Sequence, residues 1–250
     1  MGIGFAIPIA MARRIMEDLI YKGEVVRGWI GVSIQDAGPA TRDALDLDER
    51  TGVLVSKVYD GHPADKAGIE RGDVILAIAG TDVSSANELR NVVATLPPGE
   101  KAKVVVFRDG KEKKLTLTVA RREPEKLARL GGAGEGDPRQ EGGEKQTEQL
   151  TGTLGIRVAN LTDQLRRRYG IPRDTRGVVV TRVDPDAFAP GQALREGDVI
   201  RQVKVKGRSF TKVTNVATLA KTARGLEPGD AVMLLVQRDG QTFYMAYTVK

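Results

Sequence analysis

Arg71-Gly72-Asp73-Val74-Ile75 has a second version 125 residues further on, Glu196-Gly197-Asp198-Val199-Ile200. A Gly-Asp pair ahead of a β-branched apolar run is a turn feeding a strand. Working outward, Gly52-Val53-Leu54-Val55-Ser56-Lys57-Val58 returns as Gly177-Val178-Val179-Val180-Thr181-Arg182-Val183 at the same spacing. Pro98-Gly99-Glu100 and Arg108-Asp109-Gly110 return as Pro228-Gly229-Asp230 and Arg238-Asp239-Gly240, and Ile30-Gly31-Val32 as Leu154-Gly155-Ile156. Four blocks in one order at nearly one spacing make the chain a duplicated domain.

Each copy reads as strands and one helix. Residues 52–58 and 74–79 are short β-branched runs, and 103–107 with 114–119 flank Asp109-Gly110, a hairpin turn pair. Ser84-Ser85-Ala86-Asn87-Glu88 supplies an N-cap with an acidic first turn. The helix it opens carries Leu89, Val92, Val93 and Leu96 at i, i+3, i+4 and i+7, and ends at Pro97-Pro98-Gly99. In the second copy Val213, Val216, Leu219 and Ala220 are the matching apolar set, stopped by Gly225 and Pro228. The expected fold is mainly β (α+β): two small, partly open antiparallel barrels or sandwiches, each capped by helices. Between the copies, residues 123–150 are rich in Gly, Glu and Gln and read as a flexible linker. A coil of about 28 residues spans roughly 30 Å, enough for the two units to reorient independently.

The bulk numbers exclude several classes. With no cysteine there is no disulfide scaffold, thiolate metal site or cysteine nucleophile. A net charge of +6 suggests nucleic acid only if concentrated in a stripe. The single tight cluster, Arg166-Arg167-Arg168, reads as a solvated helix face. Residues 2–12 are apolar, but Arg13 and Arg14 follow the run rather than precede it, unlike a signal peptide, and the pattern continues as an amphipathic helix through Ile15, Leu19 and Ile20. Asp46-Leu47-Asp48-Glu49-Arg50-Thr51 imitates the start of a calcium loop, but Arg50 occupies a ligand position and Thr51 that of the required glycine, so it reads as a solvated loop. The serines, Ser33, Ser56, Ser84, Ser85 and Ser209, stand in no nucleophile-elbow context, and His62, the only histidine, precedes Pro63 in a polar turn and reads as exposed loop. Neither a catalytic residue nor a metal or cofactor site is expected.

Ala64-Asp65-Lys66-Ala67-Gly68-Ile69-Glu70-Arg71-Gly72-Asp73-Val74-Ile75, Arg27-Gly28-Trp29-Ile30-Gly31-Val32 and Arg108-Asp109-Gly110 resemble PDZ domains of the bacterial HtrA/Deg serine proteases. Gly2-Ile3-Gly4-Phe5-Ala6-Ile7-Pro8 looks like the closing strand of that family's trypsin-like barrel. The resemblance implies four segments: 1–23, a protease-domain remnant and connecting helix; 24–122, a first PDZ domain; 123–150, the linker; and 151–250, a second PDZ domain. The resemblance implies that the chain lacks the family's trypsin-like catalytic domain. In the second copy Gln192-Ala193-Leu194 replaces Ala-Gly-Ile.

What the resemblance implies functionally is a peptide-binding module. A C-terminal or unfolded hydrophobic segment adds as a strand to a sheet edge, and its carboxylate is held by consecutive backbone N–H groups. Trp29, Ile30, Gly31 and Val32 form that carboxylate loop, with Leu89, Val92 and Val93 as the facing helix wall; Leu154, Gly155 and Ile156 are the second copy's counterpart. Any of Leu89, Val92 or Val93 serves equally as core, and Trp29 reads as a packing residue at the rim. The resemblance further implies a periplasmic module that recognises substrates of, and regulates or assembles, an HtrA-type serine endopeptidase as a homo-oligomer, without nucleic acid or a transmembrane segment. Two alternatives stand beside it: a truncated form of the endopeptidase itself, and a free-standing PDZ scaffold.

Overall fold

The structure, a computed structural model, describes residues 27–121, 149–151, 154–184, 188 and 194–249, with four isolated positions before residue 27. The readings of residues 1–23 as a protease remnant and of 123–148 as linker therefore lie outside the described residues, save that Ile9, Met16, Leu19 and Ile20 are helical and exposed.

The first unit runs β1 (Gly28–Trp29), β2 (Val32–Asp36), α1 (Pro39–Ala44), β3 (Val53–Val58), α2 (Pro63–Lys66), β4 (Val74–Ile78), β5 (Thr81–Asp82), α3 (Ala86–Thr95), β6 (Lys101–Arg108), β7 (Lys111–Thr118) and β8 (Ala120–Arg121). Its main sheet is antiparallel in the order β2-β3-β4-β6-β7, with β5 on β4, while β1 pairs with β8 separately. The second unit runs β9 (Gln149–Thr151), β10 (Ile156–Asn160), α4 (Asp163–Tyr169), β11 (Val178–Val183), β12 (Val199–Val205), β13 (Thr211–Lys212), α5 (Val216–Ala223), β14 (Ala231–Arg238) and β15 (Gln241–Thr248). Its sheet order is β9-β10-β11-β12-β14-β15, with β13 on β12. The β6–β7 and β14–β15 hairpins close through Asp109-Gly110 and Asp239-Gly240, whose positive φ values (50° and 79°, 48° and 75°) belong to type I′ turns. The mainly-β reading thus holds, with open sheets. Val213 lies before α5 rather than within it, although it is buried in the same core.

The repeated blocks share a physical cause. Asp73 is fully buried, and its carboxylate accepts from Arg108 Nε at 2.6 Å, Arg108 Nη2 at 2.7 Å and the Glu70 N–H at 2.9 Å. Arg108 also donates to the Gly68 carbonyl at 2.7 Å and pairs with Glu70. The bond to Asp73 raises the Arg108 pKa against the opposing effect of burial. In the second unit Asp198 accepts from Arg238 Nε and Nη2, both at 2.7 Å, and from the Arg195 N–H at 2.8 Å. The Gly-Asp and Arg-Asp-Gly blocks recur together because one ion pair pins the start of the central strand to the tip of the hairpin beside it.

The two units are packed together, in contrast to the independent reorientation expected of a long linker. Leu45, Leu47, Leu54, Val74 and Phe107 of the first share one buried cluster with Ala231, Met233, Leu235 and Tyr244 of the second. Along β14, Val232, Leu234 and Val236 face the second unit's own core while the alternate residues face the first unit. The Gln35 side chain pairs with the Tyr244 backbone like a short piece of strand, donating to its carbonyl at 3.2 Å and accepting from its N–H at 2.8 Å. Lys206 bonds Asp43 at 2.5 Å, the Gly207 N–H donates to Asp46 at 3.1 Å, and Lys204 lies 3.7 Å from Asp46. Burial lowers the Lys204 pKa, partly offset by Asp46. The Asp46–Thr51 run is therefore no merely solvated loop, since Leu47 is completely buried within it. The connecting segment also gives up Gln149 and Leu150 to β9. Arg166 of the basic cluster is not simply solvated either: it donates to the carbonyls of Pro172 at 2.6 Å and Thr175 at 3.0 Å.

Two expectations follow. Removing one partner of a buried pair strands the other charge, so Asp73→Ala loses about 3–5 kcal/mol of stability in urea denaturation, and Asp198→Ala a similar amount. The shared apolar cluster makes the wild type unfold in a single transition; Met233→Asp places a charge in the contact and resolves two, read by calorimetry.

Candidate functional site

The helix α3 lies alongside β2, and the clasp that holds it there comes from the strand. Asp36, the last residue of β2, accepts from the Ala86 N–H at 2.6 Å, satisfying a free donor of the first helical turn. Ser85 is the N-cap, accepting from the Glu88 N–H at 3.2 Å, and Glu88 reaches back to the Ser84 N–H and hydroxyl, each at 2.7 Å. Those bonds lower the Glu88 pKa. Asn160 repeats the clasp in the second unit, accepting from the Val216 N–H at 2.9 Å. Sequence reading missed this contact, although Asp36 and Asn160 occupy matching places after Ile30-Gly31-Val32 and Leu154-Gly155-Ile156.

Between β2 and α3 opens a groove of about 550 Å³, lined by Trp29, Ile30, Val32, Ser33 and Ile34 on one side and Asn87, Leu89, Arg90, Val93 and Ala94 on the other. Among the described residues the outer edge of β2 carries no strand, since its one partner is β3. Leu89 and Val93 are buried and serve core and groove together. Val92 does not line it: it faces Arg50, Thr51 and Leu76 on the other side of the helix.

The loop entering β2 turns at Gly31, which has φ +82°. The Ile30 carbonyl accepts from the Ala64 N–H at 2.8 Å and the Gly31 carbonyl from the Tyr59 N–H at 3.0 Å. N–H and C=O of a trans peptide point in opposite directions, so the N–H of Gly31 is directed away from α2 and that of Val32 away from Tyr59, as an anion-binding turn requires. Gly31 is itself buried, and a Cβ there would stand 2.5 Å from His62 Cβ. His62 is accordingly half-buried backing for the loop rather than exposed loop, with its ring edge-on to Trp29 at 4.5 Å. Tyr59, which sequence reading did not single out, bonds Ser33 on the β2 side of the groove at 3.1 Å and lies under Lys57 Nζ at 4.8 Å. No metal-holding cluster occurs among the described residues, and no helix described there is long and apolar enough to cross a membrane.

In the second unit Leu154 and Ile156 are buried on either side of Gly155, whose φ is +63°. The Gly155 carbonyl accepts from the Asp184 N–H at 2.9 Å, as Gly31 does from Tyr59. Here, however, β9 lies on the outer edge of β10.

These are the features of PDZ domains, and residues 28–119 and 144–237 each match the PDZ domain family. The chain is 35% identical, over 99% of its length, to a probable periplasmic serine endoprotease DegP-like of Ectopseudomonas mendocina (strain ymp), and 36% identical over the same share to one of Brucella suis biovar 1 (strain 1330). It covers 48% and 44% of them, so the chain spans about half the length of these curated relatives. A solved HtrA-type protease AlgW with decapeptide is 41% identical over 49% of this chain and 38% of its own, at a TM-score of 0.43. The chain belongs to the PDZ domain family, as a tandem pair of domains similar to those of HtrA-type periplasmic proteases.

A side chain at position 31 meets both a left-handed backbone and His62. Gly31→Ala is expected to lose about 1–3 kcal/mol, from the strained φ and the collision. Adding His62→Gly, acceptable at the N-cap of α2, recovers the steric part in a denaturation double-mutant cycle.

Proposed function

We propose that the first PDZ domain captures hydrophobic polypeptide C-termini and presents them to an HtrA-type serine endoprotease in the periplasm. The observation carrying this reading is the outer edge of β2, unpaired among the described residues, which faces Leu89 and Val93 and begins just after the turn at Gly31. A peptide entering with its C-terminus at that turn runs antiparallel to β2, donating and accepting along the edge. Its last side chain packs between Ile30, Val32 and the helix, where burying one Val or Leu contributes about 1.5–3 kcal/mol. Association costs consume much of the total, and affinity settles near micromolar, about −8 kcal/mol. The relatives are named periplasmic serine endoproteases and are about twice as long as this chain, which favours a substrate-recognising role beside a protease domain over a free-standing scaffold. Assembly of the protein as a homo-oligomer belongs to the same reading.

The carboxylate is the discriminating group. Hydrogen bonds to charged groups are worth about 1.5–3 kcal/mol, so amidating the peptide terminus weakens binding roughly ten- to a hundredfold. Trp29, the only tryptophan, lines the groove and reports the titration by fluorescence. Equal binding of free-acid and amidated forms removes the groove assignment and leaves the domain an assembly role.

A further inference from the structure

The two copies share a groove architecture and differ in one strand. In the first, the outer edge of β2 is bare among the described residues; in the second, Gln149–Thr151 pairs antiparallel with that same edge, Thr151 opposite Ile156, Leu150 opposite Arg157 and Gln149 opposite Val158. The helix α5 touches both β10 and β9, so the added strand lies on the helix side of the edge. Its direction matters. Thr151 is the end nearest the Leu154-Gly155-Ile156 turn, so the segment enters as a C-terminal peptide would, except that the chain continues into the turn instead of ending in a carboxylate.

We infer that Gln149–Thr151 is the resident ligand of the second groove, and that an external peptide enters there only after this segment leaves. The inference rests on reading the grooves as peptide sites. A sheet edge offers one row of donors and acceptors, and a strand already paired to it leaves none for a newcomer. Only four residues separate Thr151 from Ile156. A tether that short holds the segment at an effective concentration on the order of millimolar. A free peptide of equal intrinsic affinity at ~10 µM is outcompeted about a hundredfold. The first domain is then the standing receptor and the second a latent one.

The test uses the whole chain. Hydrogen exchange of the unliganded protein should show slowed amides in 149–151 and at the positions of 156–158 that face β9, and Leu150→Pro with Thr151→Pro should abolish the protection of those β9-facing amides while the ones paired with β11 stay slow, because one of two adjacent residues must direct its N–H at the partner strand. Titration with a ten-residue free-acid peptide ending in valine should give one site by calorimetry in the wild type and two in the double variant, with the Trp29 signal unchanged between them. If the prolines unfold the second domain, Leu150→Gly with Thr151→Gly weakens the same strand and should raise second-site affinity at least severalfold. Leu150→Cys with Arg157→Cys, in a chain that has no other cysteine, should cross-link on oxidation and keep the second site shut. Two sites in the wild type, unprotected amides at 149–151, or lost protection without a second site would each overturn the inference. A silent Trp29 with a site gained in the variant overturns the first-domain assignment instead and leaves this inference standing.

Discussion

Everything in each domain is hung from one buried ion pair. Asp73 sits at the entrance of the central strand β4, where burial would be prohibitive for an unpartnered carboxylate. The fork of Arg108 and the Glu70 N–H compensate it from two directions at once, one along the chain and one from the hairpin 35 residues on. Its geometry therefore fixes where β6 turns into β7 relative to β4. Asp198 and Arg238 do the same in the second copy. A well-packed apolar pair could match such a bridge in stability, but it would not specify so narrowly which strand meets which hairpin.

That constraint explains why the fold was largely legible in the sequence. The ion pair needs an aspartate after a glycine turn and an arginine before a hairpin turn, and both survive as short recognisable words. Alternation in β6, with Lys101 and Lys103 exposed and Ala102 and Val104 buried, marks a sheet with one face in water. The matching stretch of β14, Ala231-Val232-Met233-Leu234-Leu235-Val236, has no such alternation. An unbroken apolar run on an antiparallel strand means that both faces are covered. The docking of the two domains was thus written in the difference between the copies, not in their similarity.

The candidate groove was legible to a lesser degree, for a reason that lies in the helix. Period 3.6 places Leu89, Val92 and Val93 on one broad apolar stripe, but a stripe cannot say which of its edges meets β2 and which meets the sheet behind. The clasp from Asp36 to the Ala86 N–H sets that rotation, turning Val93 to the groove and Val92 away from it. Ser33 and Tyr59 escaped notice because neither belongs to a motif; they come together only through the pairing of β2 with β3.

Placed in one molecule, these features join the first groove to the domain contact. The residue before the clasp, Gln35, sends its amide to the backbone of Tyr244 in the second domain, so one short strand carries the open edge, the helix clasp and the tie to the neighbour. A ligand strand laid on β2 presses on a segment whose far end is held by β15, and β15 belongs to the sheet that ends in β10 and β9. The path from one groove to the other therefore runs through paired backbone and packed side chains, not through the connecting segment alone. Whether peptide in the first groove alters the hold on Gln149–Thr151 is a question about that sheet. Linkage makes the answer reciprocal: any loosening of the second groove by the first must appear equally as a change in the first when the second is filled.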